Sequence, residues 1–174
     1  MSDLPQEPSD ATPRNKLEPQ SWTQRDRVPR ARLLERLAQA REKRLIAIVG
    51  PAGSGKSILL AQHFHASADI GAAMGWLTLD RADADSALLL NGIIRALEPA
   101  LGAAPPAIRE NALGAANDDP TRAVRRLLDW PKLASRDCCL IIDSYELIEG
   151  APSVAILDAW IRLEASRLII ASRV

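Results

Sequence analysis

The sequence predicts an α/β fold, a parallel sheet with helices on both faces, from three observations. Short β-rich apolar runs alternate with longer segments of helical spacing, two of the runs stop at an aspartate, and a glycine-rich segment, "IVGPAGSGKS" from Ile48 to Ser57, lies between the first run and the helix that follows. Strands alternating with helices give a parallel sheet that holds ligands at the carboxyl ends of its strands.

The elements follow in order. Residues 1–27 carry scattered Pro and charge without periodicity and read as a flexible arm, with "NKLEPQSW" the piece best able to lie against the domain, which occupies 28–174. From Pro29 the pattern puts Leu33, Leu34 and Leu37 on one stripe, and Pro suits the first turn of a helix. "RLIAIVG" is the first strand and "GKSILLAQHFHA" the next helix. A second strand, "GWLTLD", ends at Asp80. The helix after it aligns Leu89, Ile93 and Leu97, with Asp85 as N-cap. Four prolines and several glycine or asparagine breakers make 99–120 mostly loop, with at best one helical turn near Ile108 to Leu113. Helical spacing resumes through Val124, Leu127 and Leu128 until Pro131, "CCLIID" is the third strand, a helix spans 153–163, and "RLIIAS" is the fourth strand.

Composition excludes several classes. Lys plus Arg and Asp plus Glu each total 22, for a formal net charge of zero, and only 3% of residues are aromatic, so neither a phosphate-binding surface nor a base-stacking platform for nucleic acid is expected. Apolar runs of about five residues are far short of a bilayer span, and no basic segment followed by an apolar stretch opens the chain, which gives a cytoplasmic expectation with no membrane partner. Cys138 and Cys139 are adjacent on a strand and point to opposite faces, so they read as core thiols rather than a disulfide. His63 and His65, about 200 degrees apart on a helix, do not make a shared metal site.

The spacing Gly50, four residues, Gly55, Lys56, Ser57 fits the P-loop, a chance match of about half a percent in a chain of this size. Across Gly50, Pro51, Ala52, Gly53, Ser54 and Gly55 the backbone N–H groups must point inward at phosphates, which side chains at Gly53 and Gly55 would obstruct, and the following helix adds its positive end. Lys56 should reach the β and γ phosphates and Ser57 should offer its hydroxyl to Mg²⁺. Asp143, ending the third apolar run 87 positions after Lys56, is the natural Walker B acid for the same ion. Ser144 stands where hydrolytic P-loop proteins of this layout usually carry a second acid, and Glu146 replaces it as base only if its loop folds back. Ser172 and Arg173 end the fourth strand, where a cation senses a γ-phosphate or simply closes the strand.

Four blocks, "VPRARLLERLAQAREKRLIAIVGPAGSGKSILLAQ", "GWLTLDRADAD", "CLIIDSYELI" and "RLIIASRV", together resemble the nucleotide-binding domain of STAND ATPases of the MalT/LuxR type, over about residues 15–174. The resemblance implies an ASCE/AAA-like P-loop NTPase fold that holds ATP or ADP with Mg²⁺, with Lys56, Ser57 and Asp143 in the roles above and Arg173 as the arginine of the family's strand end. It also implies that the stretch from Val28 to Arg32 lies near the adenine. This sequence departs from the family at Ser54, where an aromatic is more frequent, at Ser57 in place of Thr, and at Ser144 and Glu146 in place of the second acid and a histidine. The family continues into a fifth strand beside the P-loop strand, a helical lid and output domains, so the expectation is a domain truncated after its fourth strand, with an open sheet edge inviting a second copy or a full-length regulator.

Three functions follow as expectations. The first is a nucleotide switch in which ATP or ADP biases a conformation. The second is a free-standing ATPase or phosphotransferase using Glu146 as base, with Arg109 as the one cation of a substrate loop. The third is a remnant that binds no nucleotide and associates through its sheet edge.

Overall fold

The computed structural model describes residues 13–19, 30–130 and 138–174. Four strands, β1 (Leu45–Val49), β2 (Ala73–Thr78), β3 (Cys138–Asp143) and β4 (Arg167–Ser172), form one parallel sheet in the order β1-β4-β3-β2. Six helices accompany them among the described residues: α1 (Ala31–Gln39), α2 (Lys56–Asp69), α3 (Ser86–Leu101), α4 (Pro106–Ala115), α5 (Pro120–Leu127) and α6 (Val154–Arg162). No helix among these residues is long and apolar enough to cross a membrane.

The period of two along each strand sorts side chains into two cores. Cys138, Leu140, Ile142 and Leu168 face α3 to α6, whereas Cys139, Ile141, Ile169 and Ala171 join Met74, Trp76 and the α2 residues Leu60 and Ala61. The two thiols therefore lie on opposite faces, both free and buried, and burial pushes the Cys138 thiol up to about 12. Helix α3 supplies the deepest stripe. Leu89, Leu90, Ile93, Ile94 and Leu97 are all 0% exposed, and each such burial contributes about 1.5–3 kcal/mol. Its close seat on β2 depends on Gly75, where a Cβ would meet Leu97 Cδ2 at 2.7 Å and the Ala96 carbonyl oxygen at 3.0 Å.

Two helix starts, those of α3 and α5, carry side-chain caps. Asp85 Oδ1 accepts from the Leu88 N–H at 2.9 Å, as its sequence position predicts, and Asp119 Oδ1 accepts from Arg122 N–H at 2.8 Å. The expectation of a loop over 99–120 is corrected by α4. Pro106 occupies the first helical turn, where its missing N–H has no partner to lose, and the buried face is built largely from Ala112 and the following Ala116, which carry little hydrophobic periodicity. Arg109 is part of that packing, donating to Asn91 Oδ1 at 2.5 Å and to Glu98 Oε1 at 3.4 Å, so it is a tie between α3 and α4 rather than a cation offered to a substrate.

Within the N-terminal arm, residues 13–19 are docked. A 3-10 turn at Arg14–Lys16 lies against β2, Leu17 packs on the larger core and Pro19 is buried. Lys16 Nζ is 2.6 Å from Asp83 Oδ2 and 3.1 Å from Asp80 Oδ2. At the other side of the sheet β1 pairs only with β4 among the described residues, leaving Leu45 42% and Val49 61% exposed at an open edge.

Candidate functional site

The sheet order sets the site. The carboxyl ends of β1, β4 and β3 lie side by side, so the loop after Val49, the pair Ser172 and Arg173, and Asp143 occupy neighbouring positions spanning about 10 Å at the usual strand spacing. The Gly50 N–H donates to the Ser172 carbonyl at 3.3 Å and carries the β1–β4 pairing into the loop.

From Gly50 the chain turns through the exposed Pro51, Ala52, Gly53 and Ser54, with the Ser54 N–H donating to the Pro51 carbonyl at 3.3 Å. Gly53 and Gly55 have φ of 75° and 80°, left-handed values that cost other residues about 1–2 kcal/mol each. Gly55 is the N-cap of α2, and no side chain caps that end, so its first-turn N–H groups have no side-chain acceptor from the cap position. Lys56 Nζ lies within the loop it is meant to serve, donating to the Gly50 carbonyl at 2.7 Å, the Pro51 carbonyl at 2.9 Å and Ser54 Oγ at 3.4 Å. A glycine turn, an uncapped helix start and a lysine held at the centre together fit phosphate groups. Ser57, in the first turn of α2, is exposed.

Asp143 ends β3 with 7% of its surface exposed, and its Oδ1 accepts from the Ser144 N–H at 2.9 Å. Ser144 itself has a left-handed backbone, φ 65°, which is unusual for a residue with a side chain. Among the described residues no group of three or more His, Cys, Asp or Glu could hold a metal.

The 3-10 turn Tyr145–Leu147 folds Glu146 back toward the end of β4. Its Oε1 is 3.0 Å from Arg173 Nε and its Oε2 accepts the Arg173 backbone N–H at 3.1 Å. Sequence reasoning named both residues but not their union, since 27 positions separate them.

Arg30 is a site residue that sequence reasoning placed only within a stretch near a base. Its Nη1 donates to the Ser54 carbonyl at 2.9 Å, and a Cβ on Gly55 would fall 2.3 Å from its Nη2. Val28 and Pro29 of the same stretch lie outside the described residues. A cavity of about 540 Å³ opens here, between α1 and the edge of β1, with Arg30, Leu37, Gly50, Pro51 and Lys56 in its walls. A larger hollow of about 940 Å³ lies at the opposite, amino-terminal end of the strands, around Arg44, His63, Cys138 and Arg167, away from these groups.

Comparison with known proteins agrees with this geometry. The family described as the AAA ATPase domain matches residues 23–170. The HTH-type transcriptional regulator MalT of Klebsiella pneumoniae is 30% identical over 127 residues, covering 71% of this chain and 13% of the relative. The serine/threonine-protein kinase PknK of Mycobacterium tuberculosis is 37% identical over 93 residues, covering 53% of this chain and 8% of the relative. The chain thus spans a small part, about an eighth or less, of the length of these relatives. With the family match running from before the first helix almost to the end of β4, and the P-loop geometry inside it, the chain belongs to the AAA ATPase domain family.

Proposed function

We propose that the chain is the ATP/ADP-binding module of a STAND-type, MalT-like transcriptional regulator, a nucleotide switch acting in the cytoplasm. The observation that carries this reading is the Gly50–Ser57 cradle, with its two left-handed glycines, its uncapped helix start and Lys56 at its centre. In this reading the loop N–H groups and α2 hold the phosphates, Lys56 exchanges its carbonyl partners for phosphate oxygens, and Ser57 and Asp143 hold Mg²⁺. Bound Mg²⁺ would supply positive charge that neutralises the phosphates. Arg173, between the cradle and Asp143, is the residue that distinguishes a terminal phosphate. Among the described residues the open side of β1 has no neighbouring strand and offers its backbone groups to a further one, from a second copy or from a longer regulator.

Hydrolysis would need a base. Ser144 cannot accept a proton near neutral pH, and the Glu146 carboxylate is engaged by Arg173 through both oxygens. This favours a slow switch over a fast ATPase.

Equilibrium titration of ATP and ADP, with and without Mg²⁺, against the parent and Lys56→Ala tests the reading. Micromolar binding by the parent, lost in the variant, is the expected result. Equal binding by the two proteins, or no binding by a folded parent, would refute it.

A further inference from the structure

The contact between Glu146 and Arg173 has an unequal geometry. Glu146 is the fixed member, with 18% of its side chain exposed, on a short turn whose next residue, Ile148, is 1% exposed. Arg173 is the free member, 61% exposed. The carboxylate grips the arginine twice, at the backbone N–H and at Nε, and so fixes both the strand end and the start of the guanidinium. Among the described residues the two Nη groups make no hydrogen bond, and they form the fork that meets phosphate oxygens in pairs. This fork stands at the end of β4, between the loop after β1 and Asp143 at the end of β3.

We propose that Glu146 is a positioning residue for Arg173: by holding Nε and the backbone N–H it presents the Nη fork to a terminal phosphate and so sets the preference for ATP over ADP. This rests on the nucleotide-binding reading above and assigns Glu146 a role other than that of a base. An exposed arginine samples many rotamers, and anchoring it beforehand removes part of the ordering that binding would otherwise require. ADP lacks the phosphate that the fork would meet, so its affinity should not depend on the anchor.

The test measures Kd for ATP and for ADP, with Mg²⁺, in the parent, Glu146→Ala, Glu146→Gln, Arg173→Gln and the double variant Glu146→Ala/Arg173→Gln. Expected is a fall of about threefold to fivefold in the ATP-over-ADP preference for Glu146→Ala, the size of an exposed ion pair. Glu146→Gln, which keeps one neutral acceptor, should recover part of it. ADP affinity should stay at the parent value, and Glu146→Ala should have no further effect once Arg173 is replaced. A preference that is unchanged, or that rises because the carboxylate competes with phosphate for Arg173, overturns the proposal. So does loss of ADP binding in both Glu146 variants, which would make the carboxylate a support of the fold. If the folded parent binds neither nucleotide, the nucleotide reading itself falls and takes the proposal with it, whereas Lys56-dependent binding with an unaltered preference removes the proposal alone.

Discussion

Replacing Lys16 by Met should destabilise the domain by about 3 kcal/mol, even though Lys16 belongs to an arm that composition marks as disordered. The magnitude comes from what is left behind. Met keeps the length and apolar stem of the side chain, so the loss is almost wholly the charge. Asp83, 4% exposed at its side chain, would keep only the Asp80 N–H, at 2.8 Å, of the two donors that now serve its Oδ2. Breaking a buried pair by removing one partner costs about 3–5 kcal/mol, and the lower end applies because Asp80, the other partner, is 55% exposed at its side chain and rehydrates. Urea unfolding at neutral pH of the parent, Lys16→Met, Asp83→Asn and the double variant measures the term. Asp83→Asn removes the buried charge while leaving an oxygen for the Asp80 N–H, so the double variant should be more stable than the sum of the two single losses. A Lys16→Met variant within about 0.5 kcal/mol of the parent, the range of an ordinary surface change, would refute the buried pair.

Two further outcomes follow. Gly55→Ala should lower stability by about 1–2 kcal/mol through its left-handed φ and push aside the Arg30 guanidinium, which is the movable end of a long side chain. Nucleotide titration should show a weaker site, and parent-like binding would show that the loop does not need its left-handed turn. Burial, and after it the Arg167 charge, hold the pKa of His63 below its ordinary 6.5, so the unfolded chain takes up a proton there before the folded one does. Stability should therefore fall as pH drops below 6.5, by at most about 1.4 kcal/mol per pH unit from this group, and His63→Gln should flatten that slope in urea unfolding between pH 7.5 and 5.5. An identical slope in the two proteins would remove His63 as its source.

What the sequence disclosed was local. The four strands, the helix before β1 and the one after Asp85 depend on periodicity and caps a few residues apart, and the Gly50–Ser57 loop on a fixed spacing. Residues 106–115 stayed hidden because a helix that packs through alanines has almost no periodic signal, and because Pro at its first turn reads as a break unless the helix is already known. Lys16 with Asp83, Arg30 with Ser54 and Glu146 with Arg173 lie 67, 24 and 27 positions apart, beyond the reach of any local rule.

Those long-range contacts change what the zero net charge means. At the bulk level it gives no reason to expect an anionic ligand. At the carboxyl end of the sheet, however, Lys56 lies inside the loop, Arg30 reaches its Ser54 carbonyl and Arg173 stands beside it. Against these three cations stand Asp143 and Glu146, the latter paired with Arg173 at 3.0 Å, so one positive charge is left in excess among these groups. The uncapped start of α2 adds its partial positive charge to the same spot. A chain neutral overall thus concentrates positive charge where its glycines let the backbone approach a ligand, and that local excess makes a phosphate-bearing ligand the natural occupant.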